Sequence, residues 1–275
     1  MNLIENQFKH EHYAKEFYDQ LHKALEKTEL EDFHIYIFNE LFPLISATID
    51  LSDNLSNLNL VNIDFGYKKL ISEGKEVDNL YHQLLIYRLK SRSFYKEKAY
   101  IYKYLLKLLS FFYKRKSLYL KISDNELLST FNRKDLKEVS MFPLLNFYKN
   151  KTKSKIFNYP EIKIINQILF SYIYKFNKNF SNIVVVEKLV FNLINNIYYD
   201  LEVIKSYDWN KINSIYSSSG GNYTNMLASK IASNNNTYVY RFAHGGERIF
   251  FNDLYWDYEL KNVDEYIGYS SVYSY

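Results

Sequence analysis

Apolar side chains return at helical spacing through most of the first 120 residues, with few breakers between them. Phe8, Tyr13, Phe17, Leu21 and Leu25 recur at close to 3.6-residue intervals with Glu and Lys interspersed, which predicts an amphipathic first helix. The stretch 35–61 is less periodic, and Pro43 and Ser52-Asp53-Asn54 predict turns or helix ends there. Over 78–115 the helical pattern is strongest: Ile101, Tyr102, Leu105, Leu108, Leu109 and Phe112 share one face, while Lys103, Lys107, Ser110 and Lys114 share the other. The segment 124–143 predicts short helices or loops, with Asp124 capping a helix into Leu127 and Leu128, and Asp135 in a second polar-apolar repeat. Beyond Pro160, the stretches 162–176 and 184–204 are long and apolar enough for buried helices. In the second, Leu189, Leu193, Ile197 and Leu201 recur every four residues, although the Val run at 184–186 also fits a short strand.

The last quarter changes character. A β-type run at 212–217 leads into the turn Ser218-Ser219-Gly220-Gly221-Asn222. Helical spacing through Met226, Leu227 and Ile231 follows, and then a β-branched and aromatic run at 237–242. Strand, helix and strand in this order predict a βαβ unit with parallel strands. Five of the 7 glycines, Gly220, Gly221, Gly245, Gly246 and Gly268, fall in this quarter.

Composition narrows the class. The 275 residues contain only 7 Gly and 3 Pro but 29 Tyr and 20 Phe, which excludes a collagenous or low-complexity chain. With 47% hydrophobic and 24% charged residues, a folded core is expected. Tyr, Phe, Ile, Lys and Asn are encoded by AT-rich codons, so the aromatic excess carries no functional weight by itself. The absence of Cys excludes disulfides, thiolate catalysis and Cys-based metal centres. The first 18 residues lack the apolar centre of a signal peptide, and no apolar run reaches the roughly 18 residues of a membrane span. A cytoplasmic protein is the default expectation.

A net charge of +4 is too small to mark the whole chain as a nucleic-acid binder. Basic character is instead local: residues 88–121 hold eleven Lys or Arg and one acid, Glu97. The plainest reading is a core helix with a lysine-rich solvated face. A surface lying on anionic lipid at the inner face of the membrane comes second, and a phosphate-backbone contact with nucleic acid ranks last.

Two glycine-bearing turns follow the two strands of the βαβ unit. In an open parallel sheet such loops line the ligand crevice. Ser219, Gly220, Gly221 and Asn222 lead into a helix N-terminus, where backbone N–H groups favour a phosphate; the same residues equally serve as an ordinary strand-to-helix turn with Asn222 as cap. The spacing is neither GxGxxG nor Walker A, and no cofactor is expected. In Arg241-Phe242-Ala243-His244-Gly245-Gly246-Glu247-Arg248, His244 stands just beyond a strand, followed by two glycines that let a ligand approach the backbone. Such a histidine can orient a phosphate or act as general base. His10, His12, His22, His34 and His82 lie in helical polar contexts and are expected to be solvated. His10 and His12 are too close in sequence to share a helical face, so no metal site is expected.

The run SSSGGNYTNMLASKIASNNNTYVYRFAHGGERIFF, followed by VDEYIGYS, resembles the end of the N-terminal Rossmann-like half of GT-B glycosyltransferases that build bacterial surface or capsular polysaccharide. The matching elements are Gly220-Gly221-Asn222, the helix from Tyr223, His244-Gly245-Gly246 and the Asp264-Glu265-Tyr266 step. The likeness covers about sixty residues, and His-Gly turns of this kind also occur in glycerophosphotransferases. Periodicity makes residues 1–180 a helix-rich region, and the likeness adds a partial Rossmann-like parallel sheet over 181–275, so the expected fold is α/β with the two packed together as one domain. The likeness also implies transfer of a sugar from a nucleotide donor to a glycan or lipid-linked acceptor. His244 would then be the base or phosphate-orienting group and Glu247 a second base candidate. Ser219, Gly220, Gly221, Asn222, Gly245 and Gly246 would approach phosphate, and Arg248 would stabilise the leaving diphosphate. The donor-binding half of such enzymes is absent from the sequence up to Tyr275, so the expectation is either a piece of a longer enzyme or a chain without a donor site.

The competing class is a non-catalytic scaffold in which the βαβ unit is only a platform. If the cationic stretch 88–121 meets a membrane, the protein should co-sediment with vesicles containing anionic lipid and be released by salt. Pelleting that ignores lipid charge would leave the lysine-rich face as merely solvated.

Overall fold

A computed structural model describes residues 3–53, 65–72, 118–119, 137–138, 159–205, 209, 212–217, 223–242 and 260–267. Among these are six α-helices: α1 (Leu3–Leu25), α2 (His34–Ser52), α3 (Phe65–Ser72), α4 (Pro160–Phe176), α5 (Ile183–Lys205) and α6 (Tyr223–Asn234). Five short strands accompany them: β1 (Leu118–Tyr119), β2 (Lys137–Glu138), β3 (Ser214–Ser217), β4 (Tyr238–Phe242) and β5 (Glu265–Ile267). The described part of the chain is thus mostly helical, with a small parallel sheet. Two compact units form, one from residues 1–91 with 156–197 and the other from 92–155 with 198–275. Each is built from two separated stretches of chain, and the boundary near residue 197 falls inside α5.

In the first unit α1, α2, α3 and α4 pack by their apolar faces. Phe17, Leu21 and Leu25 of α1 are fully buried, whereas Phe8 of the same predicted stripe is exposed. On α2, Ile37, Leu41, Leu44, Ile45 and Ile49 form the matching stripe. The helix runs unbroken through Pro43, where an end was expected. A proline inside a helix costs about 3 kcal/mol, and burial of these five aliphatic side chains at about 1.5–3 kcal/mol each outweighs it. The expected stop at Ser52-Asp53 holds: the Asp53 N–H donates to Ile49 O at 3.1 Å.

Helix α4 starts where the sequence indicates. Pro160 occupies the first turn, and Tyr159 before it is extended at φ −71° and ψ 136°, the conformation that proline imposes on its predecessor. Its buried residues Ile162, Ile165, Leu169, Tyr172 and Ile173 alternate in threes and fours. Edge-to-face rings tie it to α1: Phe17 and Tyr172 have centroids 5.6 Å apart at 80°, and Tyr13 and Phe176 are 5.0 Å apart at 79°. The valines at 184–186 are helical, not a strand, and the buried stripe of α5 is Val186, Val190, Leu193, Ile194, Ile197 and Leu201. Leu189 sits at its half-buried margin, because intervals of strictly four residues drift off one face of a 3.6-residue helix.

The second unit holds the sheet. β3, β4 and β5 pair in parallel in that order, with Ser217 opposite Arg241 and Arg241 opposite Tyr266. β1 and β2 pair in parallel as well, and Cα atoms of β1 come within 8 Å of β3, so β1 lies beside it. The strands at 118–119 and 137–138 correct the reading of those positions as helix or loop; two-residue strands are too short to display a period of two. Residues 78–115, with the strongest helical pattern, lie outside the described residues, as does the rest of the cationic stretch apart from β1. Among the described residues no helix is long and apolar enough to cross a membrane.

Phe17→Ala should lower the stability of the first unit by about 3–5 kcal/mol, since it empties a fully buried site ringed by aromatics. Denaturant unfolding followed by far-UV dichroism would measure it.

Candidate functional site

The βαβ unit forms for local reasons that the sequence carries. Helix α6 stops at Asn234, and Asn236 takes the left-handed conformation at φ 55°. Its N–H donates to Ser233 O at 3.2 Å while the Thr237 N–H donates to Ala232 O at 2.9 Å. That bond pair satisfies the last helical carbonyls, and asparagine tolerates the positive φ. Thr237 Oγ1 then donates to Ile212 O at 3.1 Å and the Tyr238 N–H to Asn213 O at 3.0 Å, starting the ladder with β3. At the other end of α6, Tyr223 donates its hydroxyl to Asp200 Oδ2 at 2.9 Å, with both residues buried.

Because the three strands are parallel, all leave the sheet at one edge, at Ser217, Phe242 and Ile267. The turn that begins at Ser218 follows the first of these and the His244 segment the second. The residues singled out from sequence, Ser219, Gly220, Gly221, Asn222, His244, Gly245, Gly246, Glu247 and Arg248, lie outside the described residues. The Asp264-Glu265-Tyr266 step does begin a strand, β5. Asp264 also closes the sheet: its Oδ2 accepts the Val239 N–H at 2.7 Å, and its own N–H donates to Val239 O at 3.0 Å.

Sequence reasoning gave no role to Arg241, the side chain on which this edge is built. It is only 1% exposed although it precedes the last residue of β4. Its Nε donates to Ser217 Oγ at 3.1 Å and its Nη2 to Ser229 Oγ at 2.6 Å. Ser217 in turn donates toward Tyr240 O at 3.5 Å. One permanently charged guanidinium thereby links the end of β3, the middle of α6 and the end of β4. The other face of the same strands is aromatic, with Tyr216 and Tyr240 stacked at 4.7 Å and 7°. Strand period places Arg241 on the face of buried Val239, so a cation at an inward position was the signal available in the sequence.

A second polar constellation lies in the helical unit. Ser46 donates its hydroxyl to His10 Nδ1 at 2.9 Å, and His10 Nε2 donates to Asp50 Oδ1 at 3.0 Å. The order nucleophile, base, carboxylate is that of a hydrolytic triad. Its setting is not: Ser46 is 3% exposed and stands inside α2, where backbone N–H groups are committed to the helix and cannot form an oxyanion hole. This chain is structural. It corrects the expectation of solvated histidines, as does His34, which is buried, donates from Nδ1 to Glu31 O at 2.6 Å and accepts the Tyr18 hydroxyl at Nε2 at 2.7 Å. Both sit at helical positions that turn toward a neighbouring helix. His12 and His22 are exposed as expected, and His82 lies outside the described residues. Among the described residues no cluster of three or more His, Asp or Glu could hold a metal ion.

Compared with known proteins, the chain matches no family model, no curated protein and no solved structure.

Arg241→Met should destabilise the sheet unit by about 2–4 kcal/mol, because two charge-assisted hydrogen bonds vanish and two buried hydroxyls lose their donor. Ser229→Ala should cost about 1–2 kcal/mol. Hydrogen exchange of the β4 amides would rank the two.

Proposed function

We propose that the protein is a GT-B-like glycosyltransferase of surface polysaccharide biosynthesis, transferring a sugar from a nucleotide donor to a glycan or lipid-linked acceptor. The observation that carries the reading is the parallel β3-α6-β4-β5 arrangement, whose strand ends meet at one edge. A separate parallel pair, β1 and β2, lies in the same unit, with Cα atoms of β1 within 8 Å of β3. In open parallel sheets the loops at the carboxyl ends of the strands line the ligand crevice, and the Ser219-Gly220-Gly221-Asn222 turn follows β3 directly.

In this reading an acceptor hydroxyl attacks the anomeric carbon of the donor. The new C–O bond forms as the bond to the nucleoside diphosphate breaks, and His244 takes the hydroxyl proton. Glu247 is a second candidate for that proton. Backbone N–H groups of Gly220, Gly221, Gly245 and Gly246 lie against phosphate, and Arg248 offsets the charge growing on the leaving diphosphate. Arg241 holds the end of β3, from which the first turn departs.

Turnover of uridine, guanosine and cytidine diphosphate sugars by the native gene product is the test. His244→Ala should reduce turnover about 10²- to 10⁴-fold while far-UV dichroism and the unfolding midpoint stay unchanged. Full turnover in that variant would remove His244 from the chemistry. Absence of turnover with every donor, together with retained binding of a partner, would favour the scaffold.

A further inference from the structure

The seam between α1 and α2 has two unlike halves. Toward its C-terminus α1 buries Phe17, Leu21 and Leu25, large apolar residues spaced by four. A slide of one turn, about 5.4 Å, would place Phe17 where Leu21 lies and Leu21 where Leu25 lies. Apolar side chains would still meet apolar side chains, so hydrophobic burial discriminates poorly between these registers.

One polar bond crosses this half, from the Tyr18 hydroxyl to His34 Nε2 at 2.7 Å; the other half is polar throughout and discriminates more sharply. Asp50, 4% exposed, accepts His10 Nε2–H on one oxygen at 3.0 Å and pairs its other oxygen with Lys68 Nζ of α3 at 3.5 Å. Ser46 satisfies the remaining ring nitrogen, and one turn on Lys9 donates to both oxygens of Asp53 at 2.8 and 2.6 Å. A slide in one direction would set Ala14 against Asp50 and Tyr13 against Asp53, leaving a buried carboxylate without its imidazole donor. A slide in the other direction likewise carries His10 off Asp50 and Lys9 off Asp53, so both carboxylates lose these donors. Each displaced register is penalised by a buried charge.

We infer that the His10–Asp50–Ser46 chain is a register lock, which selects one alignment of α1 on α2 and, through Lys68, anchors α3 to the same carboxylate. Its role is the choice among packings of similar burial rather than net stabilisation, since a hydrogen-bonded ionic cluster replaced by apolar groups of similar volume often leaves stability unchanged or higher.

The chain has no cysteine, so spin labels can be attached cleanly at Lys23→Cys on α1 and Ser52→Cys on α2, both exposed positions at opposite ends of the antiparallel pair, so that a slide along the axis changes their separation almost one for one. Pulsed dipolar spectroscopy should give one narrow distance in the otherwise native protein. In a Tyr18→Phe background, which removes the Tyr18–His34 bond of the same seam and should by itself keep the single native distance, the His10→Leu, Ser46→Ala, Asp50→Leu variant should retain its helical signal while a second distance displaced by about 5 Å, one helical turn, appears. His10→Gln keeps a donor for Asp50 and should retain the single native distance. An unshifted single distance in the triple variant, or loss of its helical signal, would overturn the lock, as would a split distance in His10→Gln.

Discussion

Two parallel strands cannot be joined by a hairpin, and most of the sheet unit follows from that constraint. The chain leaving β3 must travel back along the sheet before it can enter β4. Helix α6 is that return path, and the asparagine that ends it delivers Thr237 and Tyr238 to the start of the ladder. The same constraint sends every strand out at one edge, where Arg241 joins two strand ends to the crossover helix. Hydrogen bonds to a charged group are worth about 1.5–3 kcal/mol each when well made, so desolvating the cation is tolerable only with its fork engaged. The two serines of its bonds belong to β3, which the ladder already ties to β4, and to α6, which the ladder does not reach.

The helical unit divides its labour differently. Aromatic and aliphatic burial along α1, α2 and α4 supplies most of the cohesion and is indifferent to small changes of alignment. Discrimination comes from a few polar atoms, most of them at the C-terminal part of α2 and one pair, Tyr18 with His34, at its start. Asp50 accepts a hydrogen bond from one neighbour and pairs with the positive charge of another, so a single carboxylate disciplines three helices. Burial also bears on Tyr172, whose hydroxyl is pushed well above the ordinary tyrosine range by desolvation and then by the Glu16 carboxylate. That phenol therefore stays neutral to a higher pH than a free tyrosine does.

What the sequence disclosed depended on period. The βαβ unit was legible because 212–217, 223–233 and 237–242 change period cleanly and are punctuated by glycine and asparagine. Helices α4 and α5 were legible for the same reason. Pro43 misled because its local cost is small against the burial of the stripe around it, and no local rule weighs the two. His10 and His34 misled because their spacing is polar in the sequence but faces another helix in space. Arg241 was visible only as a charge at an inward strand position, and its serine partners, 12 and 24 residues earlier, leave no periodic trace. At the candidate site, the strand ends were legible while the turns themselves were read from glycine and histidine identity alone.

The discontinuity of the helical unit bears on how the chain is made. Phe17 meets Tyr172 across α1 and α4, yet the second ring is synthesised 155 residues after the first. At about 5–20 residues per second, α1 and α2 wait roughly 8–30 s for the helix that covers them. During that interval the aromatic edge of the α1–α2 pair faces water or whatever else the ribosome exit presents, while most of the sheet unit has yet to be synthesised. Birth order therefore leaves the oldest part of the chain uncovered until α4 emerges, and the α1–α2 pair is most adhesive just before then.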